Sequence, residues 1–127
     1  MSKLILIVED NEKNMKLVRD VLRNKGYATL EAATGGEGVR LALAQRPDLV
    51  LMDIQLPDID GIAALLEIRK DASLDAMPVI AVSASVMPDD QHKIVTSGFD
   101  AFITKPISLR PFLDTVQRLL AEGRKNG

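Results

Sequence analysis

Three short runs of the chain are apolar without alternation: Leu4 to Val8, Leu49 to Met52 and Val79 to Val82. Runs of that length and pattern predict strands buried on both faces, as in parallel sheets. Two weaker strands are expected, one over Tyr27 to Ala32 and one within Phe99 to Thr104. Between them the apolar spacing turns helical. Asn14 to Lys25 places Leu17, Val18, Val21 and Leu22 on one stripe and stops at Gly26. A turn at Thr34-Gly35-Gly36 precedes a helix over Glu37 to Gln45, which Pro47 closes. Gly61 to Lys70 carries Ile62, Leu65, Leu66 and Ile68, and Leu109 to Glu122 is strongly amphipathic through Phe112, Leu113, Val116, Leu119 and Leu120. Asp89 to Ser97 reads as a poor helix, with Ile94 and Val95 as almost its only apolar contacts.

Five strands alternating with five helices call for a parallel sheet with helices on both faces, joined by right-handed crossovers. One domain is expected over residues 1–127, with a core of about 3–121 and a frayed tail over Gly123 to Gly127. Without repeats or linkers, no separate output domain is expected.

Composition narrows the function classes. The chain has no cysteine, which excludes disulfides, iron–sulfur clusters and thiol catalysis. Sixteen Lys and Arg face 18 Asp and Glu with no basic block, which argues against nucleic acid as the main partner. Aromatics are only 3%, leaving little surface for stacking bases. No apolar run approaches the roughly 20 residues that span a bilayer, and Leu4 to Val8 is too short for a signal peptide. A cytoplasmic protein without a membrane partner is the expectation.

The chemistry collects at strand ends. The Leu49 strand stops at Asp53, and Pro57 forbids its continuation, so Asp53 faces a loop at the carboxyl edge where ligands bind in open α/β sheets. A lone Asp there is most often a strand terminator. Four of the five strands, however, end in this way: Glu9 and Asp10, then Asp53, Ser83 and Lys105. Three crowded carboxylates raise one another's pKa unless a cation joins them. Oxygen donors without His or Cys suit a hard ion, Mg²⁺ above all. A metal ion with a Lys and a hydroxyl donor is equipment for a phosphoryl group in transfer. An ionised carboxylate can attack phosphorus itself and form an aspartyl phosphate.

Four motifs occur in order at these ends: Val8-Glu9-Asp10-Asn11, Met52-Asp53-Ile54-Gln55-Leu56-Pro57 with Asp60-Gly61, Val82-Ser83-Ala84, and Lys105-Pro106. With them the chain resembles a response regulator receiver domain of two-component signalling, over about residues 3 to 121. Val8-Glu9-Asp10-Asn11-Glu12 and Lys105-Pro106-Ile107-Ser108 make it most similar to single-domain regulators of the DivK type, which govern bacterial cell division and polarity. The resemblance implies a flavodoxin-like sheet of strand order 2-1-3-4-5. It implies Asp53 as phosphoacceptor from a phosphohistidine, Asp10 as a direct Mg²⁺ ligand, Glu9 as an assisting one, and a further ligand in the Gln55 backbone carbonyl. Lys105 would pair with the phosphoryl oxygens, Ser83 would hydrogen-bond them, and small Ala84 would leave them room. A cis bond before Pro106 is expected to orient the lysine. Phe102 resembles the family's switch aromatic, and Gln55 and Ser85 occupy positions that tune phosphoryl lifetime. The implied partners are a sensor histidine kinase or histidine phosphotransferase and a downstream target protein. A monomer is expected, with dimerisation on phosphorylation left open.

Three residues depart from the commonest family pattern: Glu9 for Asp, Ser83 for Thr and Phe102 for Tyr. Glu9 has one methylene more reach, which favours indirect metal contact. Bland alternatives stand beside each role. Asp10 could cap the first helix, although Asn11 could do so equally well. Phe102 could be an ordinary core ring. Thr34-Gly35-Gly36-Glu37-Gly38 lacks the spacing of a phosphate loop and reads as a turn. His92, the only histidine, is expected at the surface. Two other readings of the whole site are an Mg²⁺-dependent phosphohydrolase with an aspartyl nucleophile and a pseudo-receiver that binds partners without phosphorylation. The first lacks a second Asp at position 55.

Overall fold

The apolar runs assemble as one parallel sheet. The computed structural model describes residues 2–84 and 87–123. The elements in chain order are β1 (Leu4–Val8), α1 (Glu12–Asn24), β2 (Ala28–Ala32), α2 (Gly35–Gln45), β3 (Leu49–Asp53), α3 (Gly61–Arg69), a 3₁₀ turn (Ala72–Leu74), β4 (Val79–Ser83), α4 (Pro88–Thr96), β5 (Ala101–Thr104) and α5 (Leu109–Glu122). Strand order is β2-β1-β3-β4-β5, all parallel, as the family resemblance implied.

Strand alternation divides the core into two layers. Ile5, Ile7, Leu49, Leu51 and Ile80 face one side, where Met15, Val18 and Leu22 of α1 and Phe112, Val116 and Leu119 of α5 cover them. Leu6, Val8, Val50, Met52 and Val79 face the other, under Ala42 of α2 and Ala64, Leu65 and Ile68 of α3. β3 and β4 are buried along their whole length, which explains why their sequences do not alternate.

Several boundaries and stripes differ from the sequence reading. The first helix starts at Glu12, two residues early, because the Asn11 side chain accepts the Asn14 N–H at 3.0 Å. Its buried stripe is Met15, Val18 and Leu22, while Leu17 is 43% exposed. The second helix starts at Gly35 and not at Glu37, so both glycines lie in its first turn, with Thr34 as cap. In α4 only Ile94 is buried; Val95 is 63% exposed, which removes one of the two expected anchors. The expected fraying over residues 124–127 lies outside the described residues.

Candidate functional site

Asp53 is the last residue of β3, the central strand of five, and is only 4% exposed. Burying a carboxylate is costly unless its oxygens find partners. Here the Gln55 backbone N–H donates to Oδ1 at 3.0 Å and the Lys105 ammonium donates to Oδ2 at 2.9 Å. The same ammonium lies 2.9 Å from Glu9 Oε1. Glu9 follows β1 directly, and its Oε2 accepts the Asn11 N–H at 3.1 Å. Lys105 follows β5, and its backbone N–H donates to the Ser83 carbonyl at 2.8 Å, so the pairing of β5 with β4 holds the lysine at the edge. The Lys105–Pro106 bond is cis, as expected.

Carboxylate oxygens of Glu9, Asp10 and Asp53 all lie within 4.8 Å of one another, with Asp10 exposed and the other two buried. Two of these acids, Glu9 and Asp53, share the Lys105 ammonium, and the third, Asp10, stands beside them at the solvent. The uncompensated charge appears in Glu9, whose pKa is pushed up to about 7 by burial and by its hydrogen bond and repulsion with Asp53, against the pull of Lys105 and the Asn11 amide. Lys105 is raised above the usual ammonium value: burial opposes this, but Asp53 and Glu9 outweigh it. An all-oxygen cluster short of positive charge fits a hard divalent cation, with Asp10 open to solvent for its entry.

The loop from Ile54 to Asp60 is anchored at its far end. Asp60 Oδ1 accepts the Ala63 N–H at 2.8 Å and caps α3, and the Gly61 N–H donates to the Ile54 carbonyl at 2.8 Å. A Cβ at Gly61 would collide with the Asp53 carbonyl oxygen and come within 2.9 Å of Ile54 Cα, both backbone atoms. Only glycine lets α3 start this close to the strand end.

Of the remaining candidates, Ser83, Ala84, Gln55 and Pro106 lie at the same edge. Ser83 is 2% exposed at the end of β4, opposite Thr104 of β5, and Ala84 beside it is exposed. Phe102 is half-buried on β5, opposite Ala81. Gln55 and Pro106 are exposed, and His92 lies on the exposed side of α4. Ser85 is outside the described residues. Sequence reasoning missed Asp58, whose carboxylate accepts the N–H groups of Gly35 and Gly36, each at 2.8 Å. The visible signal was two adjacent glycines opening a helix, but nothing local linked them to an acid over twenty residues away.

Residues 5–117 match the model of the response regulator receiver domain. The chain is 44% identical over 122 residues to a polar-differentiation response regulator, DivK, of Brucella anthropi, covering 96% of this chain and 99% of that one. The Brucella ovis protein of the same name is 43% identical over the same shares. Among solved structures, a CheY-like receiver from Methanospirillum hungatei has TM-score 0.88 and 31% identity over 96% of both chains. A receiver domain of a Pseudomonas aeruginosa sensor histidine kinase, described with a magnesium ion coordinated in its active site cleft, has TM-score 0.89 and 33% identity, over 96% of this chain and 100% of that one.

Proposed function

Because the chain belongs to the response regulator receiver family, we propose that it accepts a phosphoryl group on Asp53 from a phosphohistidine of a sensor histidine kinase or histidine phosphotransferase. The observation that carries this is a buried carboxylate held by an ammonium at one oxygen and a backbone amide at the other. Both donors hold the carboxylate in place at the strand end, where it can serve as the nucleophile. An Asp53 oxygen attacks phosphorus, a P–O bond forms as the P–N bond breaks, and the histidine nitrogen leaves with the electron pair. Lys105 follows the developing negative charge from the carboxylate to the phosphoryl oxygens, and the Ser83 hydroxyl donates to them after transfer. Small Ala84 leaves them space.

Asp10, Asp53 and the Gln55 carbonyl would hold Mg²⁺, with Glu9 assisting. When bound, the ion supplies the positive charge that three acids and one lysine lack. The magnesium ion described in the Pseudomonas neighbour supports this reading.

The phosphorylated chain would favour a second conformation, with Ser83 and Phe102 moving together and the α4 and β5 face offered to a target protein. The protein would thus act as a cytoplasmic switch and not as a turnover enzyme, assisting only its own phosphorylation and dephosphorylation. The polar-differentiation names of its relatives support a role in cell polarity. Intact mass after incubation with a small phosphodonor tests the chemistry. One phosphoryl on the wild type, only with Mg²⁺, and none on Asp53→Asn is the expected result; an adduct on Asp53→Asn would move the acceptor elsewhere.

A further inference from the structure

The start of α2 is an anion site, and its anion comes from the chain itself. Asp58 sits in the loop between Asp53 and α3, and its two oxygens each take one N–H from the first two residues of α2. Thr34 takes the Glu37 N–H and the Gly38 N–H returns to the Thr34 carbonyl, so the first turn of α2 is fully occupied. Both glycines serve the approach. A Cβ at Gly35 would come 2.5 Å from Ile59 Cγ1, and one at Gly36 would come 3.1 Å from Asp58 Oδ2.

Helix α2 is in turn fixed to the sheet beside the acids. A Cβ at Gly38 would lie 2.7 Å from Val8 Cγ2, and Val8 directly precedes Glu9. The seven residues 54–60 are therefore held from two sides: α3 holds them through Asp60 and Gly61, and α2 holds them through Asp58. Within that loop, three residues before Asp58, Gln55 donates its amide to Asp53.

We propose that Asp58, clamped on the Gly35–Gly36 amides, is a positioning residue for the Asp53 site. It holds the β3–α3 loop against α2 and so sets how firmly Gln55 presents its amide to Asp53 and its carbonyl to a metal ion. The metal and phosphoryl consequences rest on the receiver reading above; the clamp itself does not. A side chain that only stabilised the fold would alter melting and leave the site's affinity untouched. A positioning residue alters affinity in a protein that remains folded.

The experiment uses the full chain as wild type, Asp58→Asn, Asp58→Ala and Gly36→Ala. Three quantities are read: amide hydrogen exchange at Gln55 without metal, Mg²⁺ affinity by calorimetry, and lifetime of the phosphoryl adduct by intact mass. Asp58→Ala is expected to speed Gln55 exchange, to weaken Mg²⁺ binding by roughly 10-fold, in the range seen when groups that orient metal ligands are removed, and to change the adduct lifetime. Asp58→Asn, which keeps one acceptor oxygen, should fall between. Gly36→Ala should shift all three in the same direction with Asp58 intact. Should Asp58→Ala not fold, the other two variants decide. Lower melting with unchanged exchange, affinity and lifetime would overturn the proposal. A wild type that binds no Mg²⁺ and forms no adduct would defeat the receiver reading, and metal-free exchange at Gln55 would still judge the clamp.

Discussion

Glu9 Oε1 lies 2.9 Å from Lys105 Nζ, the same distance at which that ammonium meets Asp53 Oδ2. The extra methylene of Glu9 gives it this reach, and its other oxygen is committed to the Asn11 amide. One lysine thus bridges two buried acids. Replacing it leaves both without their cation, the costly way to break a buried pair. Because Lys105 keeps about a fifth of its side-chain exposure, Lys105→Met is expected to lower unfolding free energy by about 1–3 kcal/mol at pH 8 in chelator. The loss should shrink at pH 5.5, where Glu9 is protonated. Urea titrations at the two pH values check this; equal losses at both would show that the bridge carries little charge.

Glu9 makes stability depend on pH in an unusual direction for an acid. Its pKa rises from 4.5 to about 7 on folding, so between those values the folded chain binds a proton that the unfolded chain has lost. Stability therefore falls as pH rises through that window and levels off above about 7. In chelator, wild type should lose on the order of 2 kcal/mol from pH 5 to 8 relative to Glu9→Gln. Mg²⁺ should reverse the loss at pH 8 and do much less at pH 5. Binding near pH 7 should release roughly half a proton, read by calorimetry in buffers of different ionisation enthalpy. A flat wild-type profile in chelator would contradict the shift.

The strands, the two helical layers and the edge holding Glu9, Asp10, Asp53, Ser83 and Lys105 were legible because each rests on local patterns, whereas the strand order came from the family resemblance. Unbroken apolar runs mark buried strands, and a polar residue that ends such a run has little choice but the edge. The family match over residues 5–117 agrees with that reading. What stayed hidden depends on distance in sequence. Asp58 meets α2 through backbone N–H groups, which every residue but proline carries and no pattern advertises. Val95 looks as apolar as Ile94, yet helix phase turns only Ile94 inward. Leu17 and Met15 exchange places for the same reason.

Gly61 tests how tightly the Asp53 strand end and α3 are joined. A methyl there meets backbone atoms of Asp53 and Ile54, which cannot rotate away as a side chain would. Gly61→Ala is expected to destabilise by about 1–3 kcal/mol through overpacking, and to slow acquisition of phosphate from a small donor as the strand end shifts. Denaturant midpoints and intact-mass time courses read the two effects. An unchanged phosphorylation rate with reduced stability would mean that the strain is relieved on the α3 side, away from Asp53.

Helix α4 is the least anchored of the helices described. Ile94 is its one buried side chain, Met87 gives it no side-chain cap, and its hydroxyls on Thr96 and Ser97 bond back to its own carbonyls instead of to neighbours. Few buried contacts place an element at the low end of local stability. Its amides are therefore expected to exchange well before those of α1, which buries Met15, Val18 and Leu22. Val95→Ser, at an exposed position, should change stability by less than about 0.5 kcal/mol. Ile94→Ala should remove the remaining protection of α4 while β1 and β3 stay protected, because the cavity is relieved by local opening and not by global unfolding. Hydrogen exchange by mass spectrometry resolves these segments. Protection of α4 equal to that of α1 in the wild type would show that it is held by more than Ile94, and would remove the physical reason for giving it the moving part in a phosphorylation switch.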